Sequence, residues 1–418
     1  MTGFVTRCSL LALRAVTAMI SQAQTVKTLH RFCTHTGCTA QGPNGGIIQA
    51  TDGFLYGTAI GGGDGPSTAY KLTPGGNLTV LTDLSGSSGG LVQATDGYLY
   101  GTTQHGGANF LGSVFKMSPG GTVTTLYSFC SQSNCSDGEF PRGALVQATN
   151  GDLYGTTPIT DPLACSRIMA QYSKSLRAAH SRLCTPFASK VDALTAVIRW
   201  ETLAVDGDIY GTTAYGGATG NGTIFRITPD GTLNTVYNFC VQAGCPDGSS
   251  PFAGLMQGTD GKLYGTTSDA GTLGNGTAFG ITPGGTLTTL YHFCSLPACA
   301  DGNGPGALMQ ATDGNFYGVS ASGGAYGQGT IFSMTTSGTL TTLYNFCSQG
   351  FPSGYTDGSI PVGPLVQDTS GVLYGSTANG KNVQTGTIFI LSVGLGPFIK
   401  KLPASGTVGS SASVVSTK

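Results

Sequence analysis

Charged residues make up only 9% of this 418-residue chain, and they almost cancel to a formal net charge of -1. No basic stripe accompanies the aromatic residues, so the electrostatic attraction that carries nucleic-acid or anionic-membrane binding is missing. Glutamate is nearly absent, with Glu139 and Glu201 the only two. Two carboxylates facing one glycosidic bond cannot be paired from such a set. Of 18 aspartates, eleven directly precede glycine, where turn geometry already accounts for them. The five histidines, His30, His35, His105, His180 and His292, are scattered, and no serine sits in a nucleophile elbow. Neither a catalytic constellation nor a cofactor is implied. No run after the N-terminal stretch approaches the ~20 apolar residues of a membrane span.

Glycine, by contrast, is abundant at 68 residues, and 39% of the chain is hydrophobic, enough for a buried face that a disordered chain lacks. The hydrophobic residues recur in order. Asp52-Gly53-Phe54-Leu55-Tyr56-Gly57 is the first of seven related phrases, whose tyrosines are Tyr56, Tyr100, Tyr154, Tyr210, Tyr264, Tyr317 and Tyr374. Their spacings of 44, 54, 56, 54, 53 and 57 residues define a repeat with a period near 50. A position filled in every repeat is first a packing position between repeats, so these tyrosines form the repeat core.

One repeat reads as four antiparallel strands. In the second, Gly90 to Thr95 and Tyr98 to Thr103 flank Asp96-Gly97, which predicts a two-residue type I′ hairpin. Ser113 to Ser118 and Thr122 to Phe129 follow, joined by Pro119-Gly120-Gly121. Four strands in about 53 residues match a propeller blade of the kelch class, with a β-solenoid as the alternative. Val26 to Phe32 aligns with outer strands such as Leu340 to Phe346, whereas the seventh repeat stops after its third strand, Gly386 to Leu391. The expected fold is an all-β, seven-bladed β-propeller over residues 26–392. Its N-terminal strand completes the last blade, and one blade is disrupted.

The disruption lies at residues 159–203, which contain no glycine, six of the 19 Lys and Arg, and the only tryptophan, Trp200. The interval from Tyr154 to Tyr210 is nevertheless of normal length, so the segment replaces repeat sequence rather than adding to it. Read one base earlier, the codons of Gln171 to Leu176 permit Thr-Ile-Phe-Lys-Ile-Thr, close to the T-I-F-R-I-T of Thr223 to Thr228. The same frame permits Leu-Tyr-Thr-Phe-Cys over Leu183 to Ala188 and Gly-Cys-x-Asp-Gly over Val191 to Ala196. Two compensating frameshifts are therefore expected to bracket the segment. At the N-terminus, residues 1–23 combine Arg7, the apolar Leu10 to Ile20 interrupted by Arg14, and Ser21-Gln22-Ala23, the pattern of a secretory signal.

Cysteines recur just after the outer strand as Cys33 with Cys38, Cys130 with Cys135, Cys240 with Cys245 and Cys294 with Cys299. In an exported chain these pairs read as local disulfides rather than metal ligands, since no histidine recurs beside them. Cys347 has Tyr355 where its partner is expected. Asp137, Asp247, Asp301 and Asp357 follow the cysteine loops and are the candidate binding carboxylates, although one per loop is too few for a calcium site.

Together these phrases resemble the GloVer tandem repeats of exported bacterial proteins. The resemblance is carried by Asp260-Gly261 through Thr267, Gly276-Thr277 through Pro283, and Leu287 through Phe293. It implies a secreted or surface-anchored protein and transfers no catalytic residue. After residue 392 the composition changes, and Leu402 to Gly409 resembles the opening strand of a TIG-type immunoglobulin domain, leaving 393–418 as a linker and truncated domain or a free tail. The expected function is an extracellular or cell-surface binding module for a glycan or protein. The alternatives are a propeller enzyme on extracellular polysaccharide and a spacer for an appended domain.

Overall fold

The computed structural model describes residues 25–33, 42–43, 45–61, 67–86, 89–135, 137–148, 151–157, 168–169, 198–203, 207–228, 232–349, 356–380 and 385–397. The signal-like segment, most of 159–203, Cys38 and the phrase beginning at Leu402 lie outside them. Apart from two short 3-10 turns, Ser133–Cys135 and Pro297–Cys299, the described elements are β-strands arranged as propeller blades. No helix among the described residues is long and apolar enough to cross a membrane.

The second blade runs Val92–Gln93, Leu99–Thr103, Ser113–Met117 and Val123–Ser128 from the inner to the outer edge, all antiparallel. The inner strand is only two residues long, shorter than its apolar sequence predicts. Glycines explain the truncation. A Cβ on Gly89 would lie 2.7 Å from the Gly143 carbonyl oxygen of the next blade, so these segments pack backbone to backbone instead of extending the ladder.

The Asp-Gly turn also differs from expectation. Ala94 accepts from the Gly97 N–H and donates to the Tyr98 carbonyl, closing a three-residue loop in which Gly97 alone has positive φ, at 83°. That is a type I turn with a glycine bulge, not a type I′ turn. Asp96 explains the choice, because its Oδ1 accepts the Tyr98 N–H two residues on.

Six sheets have a full set of strands. The third repeat contributes Val146–Gln147, Leu153–Thr156 and Ile168–Met169 among the described residues. The expectation of seven blades, one of them disrupted, is therefore corrected among the described residues to six full blades and one three-stranded sheet, whose repeat loses its sequence pattern at 159–203. Repeat register resumes at Ile198–Leu203, with Leu203 opposite Ile209. At the other end of the chain, Thr25–Arg31 pairs antiparallel with Thr387–Ser392 and becomes the outer strand of the last blade.

Blades are joined by rings. Phe239, on the outer edge of one blade, meets Phe279 of the next edge-on at 5.3 Å, and Phe293 with Phe332 and Phe346 with Phe389 repeat the contact. At the closing seam the pair is Phe32 with Tyr70, 5.4 Å apart. Tyr70 is fully buried, and its hydroxyl has no hydrogen-bond partner among the described residues. Tyr70→Phe should therefore raise stability by about 1 kcal/mol, read as a higher Tm, because it removes an orphaned polar group from a place that phenylalanine fills elsewhere.

Candidate binding face

Antiparallel strands carry the chain from one face of the ring to the other and back. The Asp-Gly and Pro-Gly-Gly turns thus share one face, the hairpin face. The glycine-rich loops and the cysteine loops share the opposite one, the loop face. Both ends of the described ring, Thr25 and Ser392, pair with one another on the hairpin side.

On the hairpin face the repeated polar residues bond to the protein itself. The Tyr56, Tyr100, Tyr264 and Tyr317 hydroxyls donate to Asp52, Asp96, Asp260 and Asp313 at 2.6, 2.7, 2.7 and 2.9 Å. Tyr374 reaches Asp368 at 3.2 Å, and all seven repeat tyrosines are buried. Burial first, then the aspartate, pushes the Tyr264 hydroxyl well above its ordinary pKa. Gln93 adds a clasp between blades, its Oε1 accepting the Thr51 N–H of the preceding blade at 2.8 Å while its Nε2 donates to its own Gly97 carbonyl at 3.1 Å. Gln147 and Gln310 hold Thr95 and Thr259 in the same way, Gln367 accepts the Thr312 N–H while its Nε2 donates to the Thr312 hydroxyl and the Gly396 carbonyl, and Gln49 closes the ring on Thr369.

Sequence reasoning missed this clasp, although glutamine stands seven residues before the repeat tyrosine in six of seven repeats. The exception is Leu203. Gln310→Leu, which copies it, should cost about 1–2 kcal/mol, measured by chemical denaturation, because it orphans the Thr259 N–H and the Gly314 carbonyl.

The loop face begins with the cysteine loops. Disulfides Cys130–Cys135, Cys240–Cys245 and Cys294–Cys299 each close a short loop with both cysteines at positive φ. Cys347 is free and buried, and burial raises its thiol pKa. The four candidate aspartates point into these loops. Asp301 accepts from the Tyr291 hydroxyl at 2.7 Å, the Ser295 N–H at 2.8 Å, the Ser295 hydroxyl at 2.9 Å and the Leu296 N–H at 3.1 Å. Asp137 and Asp357 make the corresponding bonds to Tyr127 with Ser131 and to Tyr344 with Ser348, and Asp247 binds Tyr237 and the Cys240 N–H. All four are buried, and among the described residues no three His, Cys, Asp or Glu side chains gather as a metal site.

Burial alone would raise the Asp301 carboxyl pKa; the hydrogen bonds from Tyr291, Ser295 and Leu296 outweigh it and hold the pKa below the usual range. A depressed folded-state pKa gives stability that is present above the unfolded pKa of about 4 and lost as pH falls through the folded value. Asp301→Asn should accordingly cost about 3 kcal/mol near neutral pH and flatten the acid limb of a Tm-versus-pH curve. An unchanged acid limb would mean that the carboxylate is not linked to folding.

The remaining positions of this face vary from repeat to repeat. Four described glycine-rich loops are tied to their outer strands: Ser128, Asn238, His292 and Asn345 accept the N–H of Ala108, Ala218, Thr272 and Ala325. Beyond those ties the tips project. Phe110 is 76% exposed, and Leu273 and Tyr326 are exposed at the tips of the corresponding loops. Val241 and Leu296 are exposed on cysteine loops, while Tyr215 and Ile360 are exposed beside them. Besides the buried aspartates and Cys347, the described histidine, acidic and basic side chains on or bordering these loops are Arg31, Asp83, His105, Glu139, Arg142, Asp269 and His292.

The family model described as the Gloeobacter/Verrucomicrobia repeat matches residues 15–162 and 199–411, and its gap falls inside 159–203. No curated protein matches the sequence. Among solved structures, the chain is similar to a streptogramin B lyase at 18% identity and a TM-score of 0.55, covering 88% of this chain and 97% of that one. It is also similar to a gluconolactonase from Xanthomonas campestris, at 14% identity and a TM-score of 0.43 over 89% and 90% of the two chains. The likeness to the lyase speaks to the fold alone.

Proposed function

We propose that this chain, which belongs to the Gloeobacter/Verrucomicrobia repeat family, is an extracellular binding module that engages its ligand through the loop face. The reading rests on one contrast. Repeated polar residues of the hairpin face hold the ring together, whereas exposed apolar side chains collect on the loop face at positions that differ between repeats. The local disulfides of the described cysteine loops fit an oxidising compartment and therefore export through the signal-like 1–23 segment. To test the reading, labelled protein is pelleted with cell-envelope and extracellular-matrix fractions. A Phe110→Ser, Leu273→Ser, Tyr326→Ser triple variant should lose retention, while Tyr98→Ser on the hairpin face should keep it. Equal retention of both variants would sink the proposal.

A second reading, an enzyme acting on an extracellular polymer, has one observation in its favour. Burial pushes the Glu139 carboxyl pKa up, the direction a general acid requires. Glu139→Gln separates the two readings: an enzyme loses polymer turnover, and a binding module keeps its retention.

The seven-bladed reading is tied to the anomalous segment. If two frameshifts bracket 159–203, the corrected frame restores the outer strand of the third blade and completes the ring. Sequencing the coding DNA through codons 155–206 decides this, and a continuous repeat-breaking frame in independent isolates would refute it.

A further inference from the structure

We infer that the ligand of the loop face is an uncharged polysaccharide, an inference that rests on the binding-module reading above. Charge complementarity is the first argument. A polyanion needs a basic surface and a polycation an acidic one, yet the seven described side chains of this kind bordering the loops are three acids, two arginines and two histidines. The four further carboxylates that could have made the face acidic are buried and hydrogen-bonded inside the cysteine loops. The exposed rings of the described loops are Phe110, Tyr215 and Tyr326, with neutral hydroxyl and amide side chains beside them. Aromatic faces stack on the C–H faces of pyranose rings, and neutral amides and hydroxyls match sugar hydroxyls.

Exposed apolar side chains are also spread around the ring. Three of the described glycine-rich loops, on different blades, each present a large apolar side chain near the tip, Leu273 and Tyr326 at equivalent positions and Phe110 one residue later, rather than one continuous patch. Weak apolar contacts spaced around a rigid body gain by multivalency when the ligand is itself a chain of repeating units. Preorganisation is also present. Asn109 Nδ2 donates to the Phe129 and Cys130 carbonyls, and Thr219 Oγ1 to the Phe239 carbonyl, so the tips need little ordering on binding. Phe110 holds φ at 59°, where Gly220, Gly274 and Gly327 of the sister loops sit at 78°, 77° and 70°. A bulky ring is thus kept where the repeat otherwise takes glycine.

The experiment is native affinity electrophoresis of the full chain through gels containing dextran, mixed-linkage β-glucan or galactomannan, with polygalacturonate and chitosan as charged counterparts. The expected result is retardation by at least one neutral polymer, unchanged between 50 mM and 500 mM NaCl. Phe110→Gly with Tyr326→Ala should weaken it about tenfold or more; the first change restores the sister-loop residue and so removes the ring without straining the turn. An unchanged Tm confirms folding. Retardation only by charged polymers, relieved by salt, overturns the ligand class but leaves the loop-face reading standing if the tip substitutions abolish it. The same holds if the tips instead mediate self-association or binding to a protein. No retardation by any neutral polymer also overturns the ligand class. Neutral-polymer binding that survives the tip substitutions overturns the loop face itself.

Discussion

Phe279→Ala is expected to lower the unfolding free energy by about 4 kcal/mol, and Gly265→Val should be comparably damaging for the opposite reason. Phe279 is fully buried, packed edge-on against Phe239 of the preceding blade and among Tyr210, Leu255 and Leu263. Its ring lies over Gly265, its partner in the ladder. A Cβ there would come within 2.7 Å of the ring and 2.9 Å of a Leu255 methyl group. Gly265 is a strand residue, so space and not backbone freedom is what requires glycine. Overpacking typically costs about 1–3 kcal/mol, more where neighbours cannot yield. Here the ring is wedged between two blades. The two substitutions share one volume, so Gly265→Ala in a Phe279→Leu background should cost less than the single changes combined. Guanidinium denaturation followed by far-UV circular dichroism measures all four corners of the cycle. Strict additivity would show that the ring is not what excludes the side chain.

That pairing also explains how much of the fold the sequence displays. Gly57, Gly101, Gly211, Gly265, Gly318 and Gly375 each lie under a ring from the adjacent strand, at Tyr70, Phe115, Phe225, Phe279, Phe332 and Phe389. The Leu-Tyr-Gly phrase and the later aromatic are therefore one packing unit seen twice, and its period marks the blade. In the third blade Met169 takes the ladder position opposite Gly155, and the unit is lost together with the repeat. Ring closure is legible for the same reason, because Val26 to Phe32 keeps the outer-strand pattern. The clasp is not. Gln310 and Thr259 are 51 residues apart, and Gln49 and Thr369 are 320 apart. A glutamine is ordinarily a surface residue, and only the curved neighbour relation of blades gives it two backbone partners. The inner strands hide differently, since their apolar residues predict length while the adjoining glycines meet the next blade before a longer ladder can form. The candidate aspartates are legible as loop residues, but the direction of their carboxylates depends on Tyr127, Tyr237, Tyr291 and Tyr344 reaching back from the outer strands.

Deleting residues 1–32 should abolish the closed monomer. The lost strand pairs with Thr387–Ser392 over six register positions, from Thr25 opposite Ser392 to Arg31 opposite Thr387. Val26 packs with Leu391 and Phe389 in the core of the last blade, and Phe32 fills the closing seam against Tyr70 with Ile388 and Tyr374. Removing it uncovers an edge whose Ile388, Phe389 and Leu391 are wholly buried in the intact ring. An open strand of that composition pairs with whatever strand it meets. Size-exclusion chromatography with light scattering should find the truncated chain as oligomers or aggregate. A synthetic peptide of residues 25–32 added during refolding should restore the monomer, because it supplies the same ladder and the same phenylalanine. The same peptide carrying Val26→Asp and Phe32→Asp should fail: it keeps the backbone hydrogen bonds but buries one carboxylate in the core of the last blade and another in the seam. If the truncated chain stays monomeric with an unchanged Tm, closure by the N-terminal strand contributes nothing to the fold. If both peptides rescue equally, the ladder alone closes the ring and the seam packing is incidental.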